Sequence, residues 1–243
     1  MYGSHLERVE KAPMDFATNA DIEAERVIVQ LLRAARPADR LIGEESGVSF
    51  ASGGAGREWL VDPICGTLNY AAQTPLVAVN VALRVRGQVT AAASADPFTQ
   101  EIFWTNGTRA ALRLHGHDEQ LRPSPRSTLL DVNLDGPYPN AQTFRAVHVL
   151  ADSSLTEMFR PRVTSTTLAL TWVAAGRRSA YLTDGHLMDS VHFTSAIAIC
   201  QAAGCIVTGL QGQPLHTGLE GLIAAADTRT HAALIKLVAK QLT

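Results

Sequence analysis

The sequence predicts a layered sandwich of sheets and helices, α+β or α/β in class. Two observations carry that expectation. Residues 77–114 form a series of short apolar runs separated by turn residues, the pattern of an antiparallel meander. The second half of the chain then alternates strand-like with helix-like segments. A run of strands beside such an alternation builds stacked layers around shared cores. At 243 residues the chain is long enough for one large domain or two small layered ones.

Taken in order, the first element is a helix over 18–35. Ile22, Val27, Ile28, Leu31, Leu32 and Ala35 recur at helical spacing, and Pro37 ends the run. Leu41 and Ile42 lead into Gly43-Glu44-Glu45. The small residues of GVSFASGGAG, 47–56, read as a mobile loop. Trp59 to Val61 reads as a buried strand halted by Asp62-Pro63. Four strands follow at 77–85, 89–94, 102–104 and 110–114, with Asn106-Gly107 as a hairpin signal. A polar stretch runs over 115–127. Ala146 to Leu150 reads as a strand and Ser154 to Phe159 as a short helix. Helices over 167–175 and 194–203 are each closed by a glycine, Gly176 and Gly204. Strands at 180–182, 206–208 and 222–225 and a closing helix over 230–242 complete the pattern.

Composition excludes several classes of function. A net charge of −2 offers no broad basic surface for nucleic acid. Three cysteines, an odd count without a CxxC pair, argue against a disulfide framework and for a reducing, cytoplasmic compartment. The opening residues lack the apolar core of a secretory signal, and no apolar run reaches membrane-spanning length.

Four local features carry chemistry. Asp15-Phe-Ala-Thr18-Asn-Ala-Asp21 stands at the mouth of a helix, where Thr18 and Asp21 also fit a variant capping box. Gly43-Glu44-Glu45 places paired acids in a loop. WLVDPICGTLNY, 59–70, ends a buried strand at Asp62 and opens a helix at Gly66-Thr67. There, backbone N–H groups can hold phosphate oxygens beside a carboxylate that can hold a hard cation. Asp189-Ser-Val-His192 precedes the apolar helix that ends at Gly204.

Together, in this order, the four resemble the inositol monophosphatase family of metal-dependent, lithium-sensitive sugar-phosphate phosphatases. The family pattern is D-x-V-T-x-x-D, G-E-E, W-x-x-D-P-[IL]-D-G-T-x-N-[FY], and later W-D-x-A-A…E-A-G-G. DFATNAD, GEE and WLVDPICGTLNY match it closely, and the resemblance runs from about Asp15 to the C-terminus. It implies a single α+β domain over 1–243, a five-layered αβαβα sandwich of the inositol monophosphatase/fructose-1,6-bisphosphatase type, with halves at about 15–125 and 145–243. It also implies a homodimer, Mg²⁺ as cofactor, and a small phosphorylated polyol, sugar or nucleoside as substrate. By resemblance, Glu44, Asp62 and the Ile64 carbonyl would hold a first Mg²⁺, which lowers the pKa of its bound water. Asp21, paired with Thr67, would take the proton, and the N–H groups of Gly66 and Thr67 would hold the phosphate. Thr166 and Asp189 are the candidates for contact with the rest of the substrate.

The departures fall on the family's second metal site. Its aspartate in D-P-I-D-G-T is Cys65 here. Its aspartate in W-D-x-A-A falls on His192 when counted back from Gly204, and near Ser190, beside Asp189, when counted forward from Tyr181. E-A-G-G has become Ala202-Ala203-Gly204-Cys205, and only fourteen residues precede Asp15, where the family has a longer helical segment. Mg²⁺ takes hard oxygen ligands, whereas thiolate and imidazole suit Zn²⁺. Three outcomes stand open: a weakened or lost second Mg²⁺; a zinc-like site of Asp62, Cys65 and His192; or a Cys65/His192 pair turned to packing or to different chemistry, a thiolate–imidazolium dyad included.

Overall fold

The computed structural model describes residues 1–3, 6–12, 15–49 and 56–242. Its strands are β1 Arg8–Ala12, β2 Asp15–Thr18, β3 Arg40–Gly43, β4 Gly47–Ser49, β5 Arg57–Cys65, β6 Ala78–Val85, β7 Gln88–Asp96, β8 Glu101–Thr105, β9 Ala110–Leu114, β10 His117–Gln120, β11 Leu129–Asn133, β12 Arg160–Val163, β13 Ala180–Thr183, β14 Ile206–Thr208 and β15 Leu222–Ala225. Its helices are α1 Asn19–Ala35, α2 Thr67–Ala71, α3 Ala146–Leu150, α4 Ser153–Met158, α5 Leu168–Ala174, α6 Thr194–Ala203 and α7 Thr228–Ala239.

The meander of short apolar runs becomes the main part of an eight-stranded sheet in the order β10-β9-β8-β7-β6-β5-β3-β4. All its pairs are antiparallel except β3 with β5. The alternating second half builds a five-stranded sheet, β12-β11-β13-β15-β14, parallel around β11 and antiparallel around β15. β1 and β2 form a separate hairpin. Helix α1 packs on β5. Helix α6 packs on β7, α5 on α6 and β13, and α7 on β15. The layers therefore run helix, sheet, helices, sheet, helices, an αβαβα sandwich.

Two cores hold the layers together. One lies around α5 and α6 and includes Phe103, Leu168, Leu170, Tyr181 and Ile199. The other lies between the smaller sheet and α3, α4 and α7, with Leu130, Phe144, Leu182 and Leu237. Helix ends follow local chemistry. Thr18 and Asp21 complete a capping box at the start of α1. The Asp227 side chain caps α7 by accepting from Thr230 N at 2.7 Å.

The structure departs from the sequence reading at identifiable places. Ala146–Leu150 is a helix, not a strand. Ala146 and Val149, three apart, are fully buried while Val147 is exposed, which is helical burial. Strand β11 is absent from the reading because LLDVN carries Asp131, whose buried carboxylate is held by Arg178 and Thr164. Strand β10, HDEQ, is exposed along its length and is held by ladder pairing with β9 and by Asp118, which accepts from Arg113 and Trp104. Gly47–Ser49 pairs with β3, and residues 50–55 of the expected loop lie outside the described residues. On α1 the buried positions are Ala20, Asp21 and Glu25, whereas Ile22 and Leu31 face solvent at 46% and 67% exposure. Of the apolar residues at helical spacing, Ile22, Val27, Leu31 and Ala35 are exposed and Ile28 and Leu32 half-buried, while the acids Asp21 and Glu25 are buried.

That inversion is testable. Leu31→Lys is expected to change unfolding free energy by no more than about 0.5 kcal/mol. Leu168→Ala, in the central core, is expected to cost about 2–5 kcal/mol. Urea unfolding of both variants decides the point; a large loss from Leu31→Lys would mean that α1 buries that face.

Candidate metal and phosphate site

The site begins with a defect in strand β5. Side chains three apart on a regular strand face opposite ways, so Asp62 and Cys65 ought to diverge. The pairing of β5 with β6 matches Asp62 to Asn80 and Cys65 to Ala78, three residues against two. One extra residue at Pro63-Ile64 is a β-bulge, a position that also tolerates proline. The bulge turns both side chains to the same side. A polar ladder supports Asp62 there. Asn80, its cross-strand partner, donates to Asp62 Oδ2 at 3.2 Å, and Ser94, the partner of Asn80, donates to Asn80 Oδ1. All three are completely buried. Asn80 also donates to Thr167 Oγ1 at 2.9 Å, at the head of α5, so the ladder ties the two sheets together.

Glu44 arrives from the end of β3, the parallel neighbour of β5, and its N–H is bound by the Val61 carbonyl at 3.0 Å. The turn that presents it is clamped by Glu25 of α1, whose carboxylate accepts from Glu45 N and Ser46 N at 2.8 Å each. A Cβ at position 43 would lie 2.5 Å from that same carboxylate, so a side chain there would displace the Glu25 clamp. Lys11 of β1 closes the group, donating to Glu44 at 2.9 Å and to Glu45 at 2.7 Å. Burial opposes the Lys11 ammonium, but the two carboxylates outweigh it and raise its pKa.

On the other side stand Asp21 and Thr67. Asp21 is fully buried; one of its oxygens accepts from Thr18 and the other from Thr67 Oγ1 at 2.9 Å. The Thr67 hydroxyl also lies 3.1 Å from the Ile64 carbonyl. Gly66 has φ 102°, and a Cβ there would sit 2.7 Å from the Leu76 carbonyl, so the turn into α2 admits only glycine. Asn69 of α2 donates to Ser165 O at 2.7 Å, a second link between the halves.

Of the positions reached by the two ways of counting the last motif, the one that faces Asp62 is His192. Its Nδ1 lies 2.9 Å from Asp62 Oδ2 and 3.9 Å from Glu44 Oε2. Asp189 instead pairs with Arg84 at the surface, its side chain 69% exposed. Thr166 is buried and its hydroxyl accepts from Leu168 N at 3.3 Å. The structure thus brings together Asp21, Glu44, Asp62, Ile64, Cys65, Gly66, Thr67 and His192. Glu25, Asn80, Ser94 and Lys11 escaped sequence reading. Asn80 and Ser94 carried one faint signal, polar residues inside otherwise apolar strands.

The electrostatics follow from burial. Burial, and then the Asp62 charge, push the Glu44 carboxyl well above the ordinary carboxylate range. Burial works against Asp62 as well, but His192 outweighs it and Asp62 stays ionised below its usual value. Burial alone would lower His192; Asp62 and Glu44 instead raise it from 6.5 to about 9. The Cys65 thiol is pushed up by burial and by Asp62. It is therefore neutral in the metal-free protein, the opposite of a thiolate nucleophile.

Glu44 Oε2 and Asp62 Oδ1 are buried and have no hydrogen-bond partner among the described residues. Orphaned carboxylate oxygens are costly unless a cation completes them. With the Ile64 carbonyl they would make an all-oxygen donor set, the kind that suits Mg²⁺. Ligand atoms of Asp62, Cys65 and His192 also lie within 4.8 Å of one another. That second set, with sulfur and imidazole, does not fit Mg²⁺.

Comparison with known proteins agrees with this geometry. The model of the inositol monophosphatase family matches residues 2–243. Nus factor SuhB of Pseudomonas aeruginosa is 33% identical over 240 residues, 94% of this chain and 84% of its own. Inositol-1-monophosphatase of Caulobacter vibrioides is 32% identical over 241 residues, covering 96% and 91%. The crystal structure of extragenic suppressor protein suhB from Bartonella henselae superposes with a TM-score of 0.83 at 24% identity, over 97% of this chain and 89% of that one. A layered sandwich with a carboxylate-lined site at its seam is the architecture of a phosphatase-type fold. The chain belongs to the inositol monophosphatase family.

Two measurements check the assembly. Glu25→Ala should cost about 2–3 kcal/mol in urea unfolding, since two charge-assisted hydrogen bonds are lost; an unchanged midpoint would show that the Glu44 turn stands without its clamp. The second concerns pH. His192 is raised in the folded state, so its contribution is present below 6.5 and lost as pH rises to about 9. Glu44, also raised, adds a loss of the same sign from lower pH. The melting temperature of chelator-treated protein is expected to fall between pH 6.5 and 9, and to fall less in His192→Ala. Equal slopes in both proteins would refute the His192 assignment.

Proposed function

We propose that the protein is a divalent-metal-dependent phosphatase that hydrolyses a small phosphate monoester of an inositol, sugar, polyol or nucleoside. The observation that carries this is the Asp21–Thr67 pair, 2.9 Å apart, beside the unpartnered oxygens of Glu44 and Asp62. A divalent cation held by Glu44, Asp62 and the Ile64 carbonyl supplies positive charge for the phosphate and acidifies water in its reach. The remaining work belongs to the chain. The N–H groups of Gly66 and Thr67 orient the phosphate. The Thr67 hydroxyl gives its proton to Asp21 and accepts one from the attacking water. The water oxygen bonds to phosphorus, the ester oxygen leaves in line, and solvent protonates the alcohol. Lys11 and Asn80 hold Glu44 and Asp62 in place. The three cysteines are free thiols, in keeping with a reducing compartment. Among the described residues, no helix is long and apolar enough to cross a membrane.

A second reading is a repurposed member of the family that acts through a partner. It draws support from Cys65 and His192, which stand where the family pattern has acids, and from relatives named as Nus factors.

Purified protein assayed with Mg²⁺ against inositol, sugar, polyol and nucleoside monophosphates is expected to release phosphate. Asp21→Asn should lower kcat about 10²–10⁴-fold, the usual weight of a general base. No release from any substrate would sink the hydrolase reading. In that case, a large gain from the Cys65→Asp, His192→Asp double variant would mark a degenerate site.

A further inference from the structure

We propose that Asp62, Cys65 and His192 form a binding site for a thiophilic divalent ion of the zinc type, in the position where the family pattern would place a second magnesium. The inference rests on Asp62 being a metal ligand, as in the proposed reaction, but not on the reaction itself.

Three observations carry it. The donor atoms, a carboxylate oxygen, a thiol sulfur and an imidazole nitrogen, all lie within 4.8 Å of one another. Tetrahedral zinc, with bonds of about 2.0–2.3 Å, needs neighbouring ligands roughly 3.3–3.6 Å apart. Side-chain rotations that draw the three in by about 1 Å reach that geometry. Second, the cluster is built by the backbone. The β5 bulge is what turns Cys65 to the side of Asp62, and the Asn80–Ser94 ladder fixes the Asp62 carboxylate. Third, Asp62 is completely buried and its Oδ1 lacks a partner among the described residues. The His192 side chain is 43% exposed, so the site has an entrance on that side.

The chemistry of the set decides the ion. Sulfur and imidazole bind zinc-like ions strongly and magnesium poorly. Two protein ligands with nitrogen and sulfur, one carboxylate and an open fourth position make the three-ligand pattern of catalytic rather than structural zinc. Binding displaces the Cys65 thiol proton and the imidazolium proton of His192, so the site takes up a metal ion and gives up two protons to solvent.

The full-length protein, dialysed against a zinc-buffered solution and then washed, is expected to retain close to one equivalent of zinc. Replacement with Co²⁺ should produce the strong near-ultraviolet absorption of a cobalt–thiolate bond. Cys65→Ser should abolish that absorption with an unchanged circular dichroism spectrum. If Cys65→Ser fails to fold, the wild-type protein still reports: bound zinc should slow alkylation of Cys65 at least 10-fold. Retention of no zinc, a cobalt spectrum without a thiolate band, or alkylation of Cys65 at the same rate with and without zinc would overturn the proposal. Phosphate release with Mg²⁺, measured on the same preparation, separates the two ideas. Release without zinc binding would sink only this site, and zinc binding without release only the reaction.

Discussion

Two carboxylates buried side by side, Glu44 and Asp62, govern this structure. Charges of like sign in a low-dielectric setting repel strongly, and neither oxygen pair can be left without positive partners. Two cations and one retained proton answer that demand. The Lys11 ammonium sits on Glu44, the His192 imidazolium sits on Asp62, and Glu44 retains a proton under the influence of burial and Asp62. The retained proton also joins Glu44 to Asp62 by a hydrogen bond. A cation held between the two carboxylates would take the place of that proton.

The rest of the fold exists, in functional terms, to hold those two groups at one seam. β3 and β5 run parallel, so their C-terminal ends deliver Glu44 and Asp62 to the same edge. α1 contributes from above through Glu25, which clamps the Glu44 turn, and Asp21, which receives Thr67. The second sheet contributes through the segment before α5: Thr167 accepts from Asn80, and Ser165 accepts from Asn69. Both links cross between the halves of the chain. The polar ladder that supports Asp62 therefore also adds a link between the sheets, beside the apolar core around α5 and α6.

This division explains what could be read in the sequence. Asp21, Glu44, Asp62, Gly66 and Thr67 could be picked out because they sit in short local patterns, a capping box, a glycine turn and an Asp-Pro pair; the strand expected to halt at that pair instead runs on to Cys65 through the bulge. The meander was legible from its turn residues. Glu25, Asn80, Ser94 and Lys11 were not, since each gains meaning only from a partner across a strand pair or on another element. Asn80 and Ser94 read as weak strand residues until the β6–β7 register places them opposite one another. The apolar spacing on α1, which correctly marks a helix, is the converse case. Periodicity reports which face is apolar, not whether anything covers it, and the residues that α1 buries include the two acids Asp21 and Glu25.

Cys65 and His192 make sense only as a pair. A cysteine alone, in place of an acid beside Asp62, would stay a neutral thiol, because burial and the Asp62 charge both oppose its ionisation. A histidine alone would become a permanent imidazolium on Asp62, a charge partner with no further chemistry. Together they keep the ligand count of the two acids they replace while changing the softness of the donors. They also carry less charge: two further acids at these positions would be negative once ionised, whereas the Cys65 thiol stays neutral until a metal displaces its proton and the His192 ring is never negative. The pair therefore adds no further negative charge beside Asp62.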